Sequence, residues 1–351
     1  CAQCHTHKFD PISIRDYYRF QAFFAKGQPG NVVLADAQES AHDLIDQRWS
    51  MFDAVHARLV SVKRKQGHPE PIYVIPKSVI SGMNAKEKPR FNKLEQSIAQ
   101  LPQTWAFYSP DTGSRKLPIA PTDIRWPLER DPRVLETMRT NLLIRGDVNS
   151  PGPEVLTGWP AVFGSSVNGD DTRSALADGL VNSSNPLTAR VWVNRIWQWH
   201  FGRGIVETSG DFGTQGTPPS HPELLDYLAS ELIVRDWSTK HIPRLILGSA
   251  TYRQSSRDSA DHGAIDPENR LLWRWTPRRL EAEAIRDSIL AVAGHLDTTA
   301  GGPSVDNKSN RQSVYLRQRR DNFPHQQILF DSATGVVTCS RRRVSTTAIQ
   351  P

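Results

Sequence analysis

Asn185-Pro186-Leu187-Thr188-Ala189-Arg190-Val191-Trp192-Val193-Asn194-Arg195-Ile196-Trp197-Gln198-Trp199-His200-Phe201-Gly202 is the stretch on which the fold reading turns. Asn185 has the side chain of a helix N-cap, and Pro186 then falls at the first helical position, where its missing N–H is harmless. Gly202 supplies the left-handed residue that ends the helix. Similar punctuation recurs downstream. Ser220-His221-Pro222-Glu223 has the form of a capping box, followed by Leu224, Leu225, Leu228 and Leu232 on one face. Thr276-Pro277 predicts a helix start ahead of Leu280, Ala284, Ile285, Ile289 and Val292, closed by Gly294. Pro243 is expected to disturb any helix across Ser238 to Thr251.

Upstream, Ser13 can cap a helix with Asp16 in its first turn. Tyr17, Phe20 and Phe24 form the predicted apolar stripe, and Gly27, Pro29 and Gly30 stop it. Residues 36–66 alternate charge with Leu44, Ile45, Trp49, Phe52, Val55, Leu59 and Val62, as in a long amphipathic helix or hairpin arm. Pro69, Pro71 and Pro76 end it, and a weaker helix is expected over Lys86 to Leu101. From Pro102 the texture turns β-rich, with strands at Thr104 to Tyr108 and Thr140 to Ile144. Turns are expected at Asp111-Thr112-Gly113 and Asn149-Ser150-Pro151-Gly152. The fold class is therefore mainly α with a small β-containing middle module, α+β overall. Its expected divisions are residues 1–30, 31–101, 102–170 and 171–351.

The chain has 351 residues, 38% apolar and 23% charged, which suits a globular protein of two to three domains rather than a disordered one. No apolar run reaches the roughly 20 residues of a membrane span. The net charge of +6 raises a nucleic-acid partner. The basic runs Arg317 to Arg320 and Arg341-Arg342-Arg343 are short and lack any nucleic-acid-binding signature, so paired arginines on a solvated face are the better account. The chain opens without Met and reads as an internal piece of a longer protein.

The chemistry-bearing motif is Cys1-Ala2-Gln3-Cys4-His5, the C-x-x-C-H spacing of c-type haem attachment. Two thiols one turn apart can add across the two vinyl groups of one porphyrin, and the next histidine is then held beneath the iron. With 3 Cys and 11 His in the chain, on the order of 10⁻³ such matches arise by chance. Haem c bound by Cys1, Cys4 and His5, with iron on His5, is the leading expectation. It brings a redox partner protein and a periplasmic or otherwise extracytoplasmic location, since attachment enzymes work there. The alternatives are a redox-active or structural cysteine pair, or a metal site recruiting His7 and Asp10, including a cramped Cys1–Cys4–His5–His7 zinc site. For a sixth haem ligand the candidates are Met51, Met83, Met138, His7, His42, His56 and His68.

Several stretches together resemble the planctomycete cytochrome (PSCyt) family followed by the planctomycete-specific (PSD) domain. Residues 1–12 with Asp16-Tyr17-Tyr18 are similar to the closing segment of the cytochrome-type domain. Residues 185–191 with Asn194-Arg195-Ile196-Trp197 look like the opening of PSD. Asp211-Phe212-Gly213, residues 221–226, residues 249–256, residues 278–283 and Gly301-Gly302-Pro303-Ser304 extend the likeness. It covers both ends and most of 140–351, but 30–135 only loosely, and it implies truncation near Thr346. The resemblance implies haem but brings no established activity.

Other readings concern side chains without a motif. Asp10 is a candidate second partner for a ligand histidine, or simply a turn former before Pro11. Trp192, Trp197, Trp199 and His200 crowd one helix and read mainly as core. The glycine-rich loop 210–219 is not a phosphate loop, and Asp211 and His221 beside it are the candidate pair for a hydrolytic site acting on polysaccharide-derived material. Arg145-Gly146-Asp147 and Asn182-Ser183-Ser184 read as ordinary turn and loop residues. An envelope scaffold that binds proteins is the third alternative.

Overall fold

The computed structural model describes residues 1–25, 28–34, 38–69, 72, 74, 76–108, 139–164, 172–319, 323–333, 335–342 and 344–345. The chain divides into two compact units, Cys1–Asn182 and Ser183–Pro351. Among the described residues it is mainly helical with two small antiparallel sheets.

In the first unit, α1 (Ile14–Ala25) is opened by a reciprocal box. The Asp16 N–H donates to Ser13 Oγ at 3.0 Å, and the Ser13 N–H donates to Asp16 Oδ2 at 3.0 Å. The buried aromatics are Tyr18 and Phe23, while Tyr17 and Phe24 are exposed, so the expected stripe is corrected by one position. Tyr18 turns inward because its hydroxyl donates to the Gln3 carbonyl at 3.0 Å. Phe20 and Phe23 then pack with Trp159 and Leu176, the latter on α2 (Arg173–Val181).

The long amphipathic helix forms as α3 (Gln38–Lys65), followed by a short α4 (Pro76–Ser81) and α5 (Glu87–Ala99). Phe52, Val55, Val74, Val79, Met83 and Phe91 make one core cluster of this bundle. Arg48 lies on the buried face, 1% exposed, ion-paired with Glu95 and 5.1 Å from the Phe91 ring centroid. Strand β1 (Gln28–Val33) pairs antiparallel with β2 (Gln103–Tyr108), Val33 facing Gln103. Pro29 and Gly30, expected only to stop α1, thus lie in a strand, and Gly27 is outside the described residues. Strands β3 (Thr140–Leu143) and β4 (Pro151–Val155) form a separate hairpin. Pro151 and Gly152 are in the second strand, not the turn. The expected turn at 111–113 lies outside the described residues.

In the second unit, α6 (Pro186–Phe201) has its expected ends: Asn185 Oδ1 accepts from the Leu187 N–H, and Gly202 has φ 79°. The unit's core joins Val193, Ile196 and Trp197 to Leu225, Leu228 and Leu232 of α7 (Pro222–Val234) and to Ile242 and Ile246 of α8 (His241–Gly248). The expected capping box is corrected. His221 is the N-cap residue without a side-chain cap bond, because the Ser220 hydroxyl turns to the Ile205 carbonyl and His221 Nδ1. Pro243 sits in the first turn of α8, where it is tolerated. After α9 (Ala260–Ile265), α10 runs Ala282–Val292 and starts later than Thr276-Pro277. Thr276 Oγ1 is instead held by the Asn269 amide at 2.8 Å. A short α11 (His325–Leu329) follows. No described helix is long and apolar enough to cross a membrane.

Candidate functional site

The N-terminal cysteines lie on one tight turn. The Cys4 and His5 N–H groups both donate to the Cys1 carbonyl, at 3.0 and 3.1 Å, which closes residues 1–5 into a single turn carrying both thiols. Cys1, Cys4 and His5 are exposed, and both sulfurs are free thiols. His5 Nδ1 lies 2.7 Å from the Thr6 carbonyl. A carbonyl only accepts, so Nδ1 carries the proton and Nε2 keeps its lone pair for a metal.

The turn is braced from two sides. Tyr18, 2% exposed, holds the Gln3 carbonyl through its hydroxyl. Burial, the largest cause, raises the Tyr18 phenol pKa above its usual value. On the other side, Gly146 approaches so closely that a Cβ there would lie 2.7 Å from Cys4 Sγ. Sequence reading missed both contacts: Gly146 is far along the chain from the cysteines, and Tyr18, though in the same matched segment, gives no sign of reaching Gln3. Exposed Phe9, Ile144 and Val148 add apolar surface on these same loops.

His7 and Asp10 are occupied with each other. The Asp10 N–H donates to His7 Nδ1 at 3.0 Å, and the Asp10 carboxylate lies 3.3 Å from the same nitrogen. Asp10 therefore orients His7, not His5. Among the described residues no three His, Cys, Asp or Glu side chains gather as a metal-ion cage, so the four-ligand zinc arrangement is not assembled. Two thiols and one imidazole with a free Nε2 do fit a porphyrin bonded at its edge and ligated at its iron.

Met83 is buried among Phe52, Val79 and Phe91, and half-buried Met51 packs on the same cluster. His56 stacks on Phe52 at 6.5 Å between centroids, and His68 is exposed just past the end of α3. Met138 and the His42 side chain lie outside the described residues.

The second unit contains a cleft of about 1950 Å³. Trp199, half exposed, and Trp275 line it together with ion pairs. Arg203 pairs with Glu207 at 2.5 Å, Arg342 grips Glu283 at 2.5 and 2.9 Å, and Arg279 pairs with Asp331. The Arg203 hydrogen bond holds the Glu207 carboxyl below its usual pKa. For Glu283, burial pulls upward, but the Arg342 hydrogen bond and its charge outweigh it, and the net shift is downward. The Ser345 N–H, then Arg279, hold Asp331 far below the ordinary range.

Asp211 and His221 are not among the residues lining this cleft. Asp211 Oδ1 accepts from the Gly213 N–H at 2.9 Å, a local turn, and His221 Nδ1 meets Ser220. No hydrogen bond joins the pair expected to be hydrolytic. Of the tryptophan group, Trp197 is core and also lines the cleft, Trp192 packs against that core, and Trp199 lines the cleft half exposed. His200 Nδ1 donates back to the Ile196 carbonyl at 2.7 Å.

A family model described as PSD1, protein of unknown function (DUF1553), matches residues 172–351. A second, PSCyt2, protein of unknown function (DUF1549), matches residues 1–28. No curated protein and no solved structure matches the chain.

Proposed function

The chain belongs to the PSD1 family (DUF1553), and on that premise we propose that it is an exported c-type cytochrome-like protein whose N-terminal turn carries covalent haem. The observation that carries this reading is the pair of exposed thiols on one turn, followed by an imidazole whose Nδ1 proton is given to the Thr6 carbonyl. The PSCyt2 match over the same residues supports it by name. Cys1 and Cys4 would hold the haem by two thioethers, each an S–H added across one vinyl double bond, which needs no oxidant and expels nothing. His5 would offer Nε2 to the iron, and the Thr6 carbonyl fixes the ring's tautomer and rotation. Haem bound in this way supplies one-electron exchange with a protein partner. Tyr18 keeps the turn in place from below through the Gln3 carbonyl.

For the second unit the proposal is narrower: its cleft takes up a ligand or a segment of the redox partner. Hydrolysis there has less support. A general acid needs a carboxyl raised toward neutrality, whereas Glu207, Glu283 and Asp331 are all shifted the other way.

The test is expression of the full chain with a c-type maturation system. Haem that stays with the polypeptide after denaturation, with a reduced α-band in the visible spectrum, is the expected result. Its loss in Cys1→Ser and Cys4→Ser supports the same reading. A colourless wild-type protein overturns it.

A further inference from the structure

We infer that the Arg145-Gly146-Asp147 turn is the seat of Cys4: it fixes that thiol for thioether formation and makes the β3–β4 hairpin part of the attachment site. This rests on the haem reading above, and the experiment below separates the two. The hairpin is distant in sequence from the cysteines and lies between the segments that the two family models match.

Three observations carry the inference. First, the space for a side chain at Gly146 is already taken. A Cβ there would lie 2.7 Å from Cys4 Sγ, 3.5 Å from the Gln3 carbonyl oxygen and 3.7 Å from Cys4 Cα. Non-bonded carbons rest at about 3.5–4.0 Å, so the sulfur would have to retreat by roughly 1 Å. Among the described glycines only Gly146 approaches a cysteine in this way.

Second, the turn cannot easily yield. Gly146 has φ 75° and Arg145 has φ 56°, a left-handed pair. The Ile144 N–H donates to the Ser150 carbonyl at 3.0 Å, and the Asp147 N–H to the Ile144 carbonyl at 3.1 Å. The Asp147 carboxylate accepts from the Asn149 N–H at 2.9 Å and the Ser150 hydroxyl at 3.1 Å. Third, the cysteine turn is held on its other side, where the Tyr18 hydroxyl donates to the Gln3 carbonyl. The exposed Cys4 thus has Gly146 against its sulfur, and α1 holds the carbonyl of the residue before it.

The experiment compares Gly146→Ala with Gly67→Ala in the full chain expressed with a maturation system. Gly67 has φ 79° with nothing within 4 Å of its Cβ position, so it reproduces the backbone strain without the collision. An ångström of misplacement can cost a bond-forming step on the order of 10²-fold. Gly146→Ala is thus expected to lose the doubly bonded product by that order, with haem held through Cys1 alone and Cys4 still open to alkylation. Gly67→Ala should keep both thioethers, as read by peptide mass spectrometry.

A second readout does not involve haem. In the reduced chain without haem, the ratio of Cys4 to Cys1 alkylation by iodoacetamide should shift severalfold in Gly146→Ala and stay put in Gly67→Ala. If Gly146→Ala is too unstable to mature, the stability it loses must shrink to that of Gly67→Ala on a Cys4→Ala background, where no sulfur remains to be struck. Gly146→Ala protein with both thioethers at wild-type yield and an unchanged alkylation ratio overturns the seat. A wild-type protein without haem, but with the alkylation shift present, removes the haem reading and leaves the seat standing.

Discussion

Replacing Asn194 by Ala should unlock the loop that joins α6 to α7, and the cost follows from two hydrogen bonds. Asn194 is 0% exposed. Its Nδ2 donates to the Val206 carbonyl at 3.0 Å, and its Oδ1 accepts from the Val206 N–H at 2.9 Å, so one amide satisfies both backbone groups of a buried residue. Gly204 permits the approach, because a Cβ there would meet the same amide at 2.7 and 2.8 Å. With Ala, the Val206 N–H stays buried without a partner, at about 1–3 kcal/mol, while the carbonyl keeps the Ser209 hydroxyl at 3.4 Å. The midpoint is about 2 kcal/mol. That corresponds to roughly a 30-fold rise in the opening constant of the helix and, for a unit of this size, a fall in Tm of about 4–8 °C. Hydrogen exchange of the Pro186–Phe201 amides is the direct assay, because it reads the second unit whatever the first does. A loss below about 1 kcal/mol would mean that the loop rehydrates without penalty, and the pinning argument would be wrong.

Three further expectations concern the first unit. Tyr18→Phe removes the hydroxyl that holds the Gln3 carbonyl and should cost about 1 kcal/mol, read as a roughly fivefold faster alkylation of Cys4; an unchanged rate would show that the brace does nothing. His5→Ala should shift the visible spectrum of the matured protein, while His7→Ala should leave it alone because His7 Nδ1 already accepts from the Asp10 N–H; equal spectra for both would remove His5 as the axial ligand. Glu87 is held down to about 2 by Arg58 and by the Asn84 N–H. Its folded pKa lies below the unfolded one, so its contribution is present above about 4.5 and is lost as pH falls toward 2. Urea midpoints across that interval should therefore fall less in Glu87→Gln than in the wild type, and parallel acid curves would count against the pairing.

The sequence carried the helices with strong end signals and lost those set by tertiary partners. Asn185-Pro186 and Gly202 mark α6 because capping is local chemistry that the chain writes within a few residues. Ser220 looked equally local, yet its hydroxyl is drawn to Ile205, fifteen positions away, and the cap is left to His221. Strand β1 was hidden because its partner lies seventy residues on, and a Gln-Pro-Gly start reads as a stop. Arg48 was hidden for the opposite reason: a charged residue in an amphipathic helix is assigned to water, but here Glu95 and the Phe91 face take it inside. At the candidate site, Cys1, Cys4 and His5 were legible because the chemistry demands a fixed spacing. Gly146 and Tyr18 were not, because what they do depends on the fold bringing them to Cys4 and Gln3.

The excess of basic residues also acquires a physical meaning only once the pairs are known. Arg341 reaches Glu207 at 3.4 Å and Arg342 grips Glu283, so two members of the densest described basic run are engaged by carboxylates of their own unit. Ser345 and Arg279 tie the following residues through Asp331. Residues 339–342 and 344 line the cleft, and the charges of Arg341 and Arg342 meet carboxylates that line it too. Arginines held in this way keep Glu207 and Glu283 ionised. Closed ion pairs beside the half-exposed Trp199 indole give this cleft a surface of balanced charge, and that is the feature on which the proposed uptake of a ligand or partner segment rests.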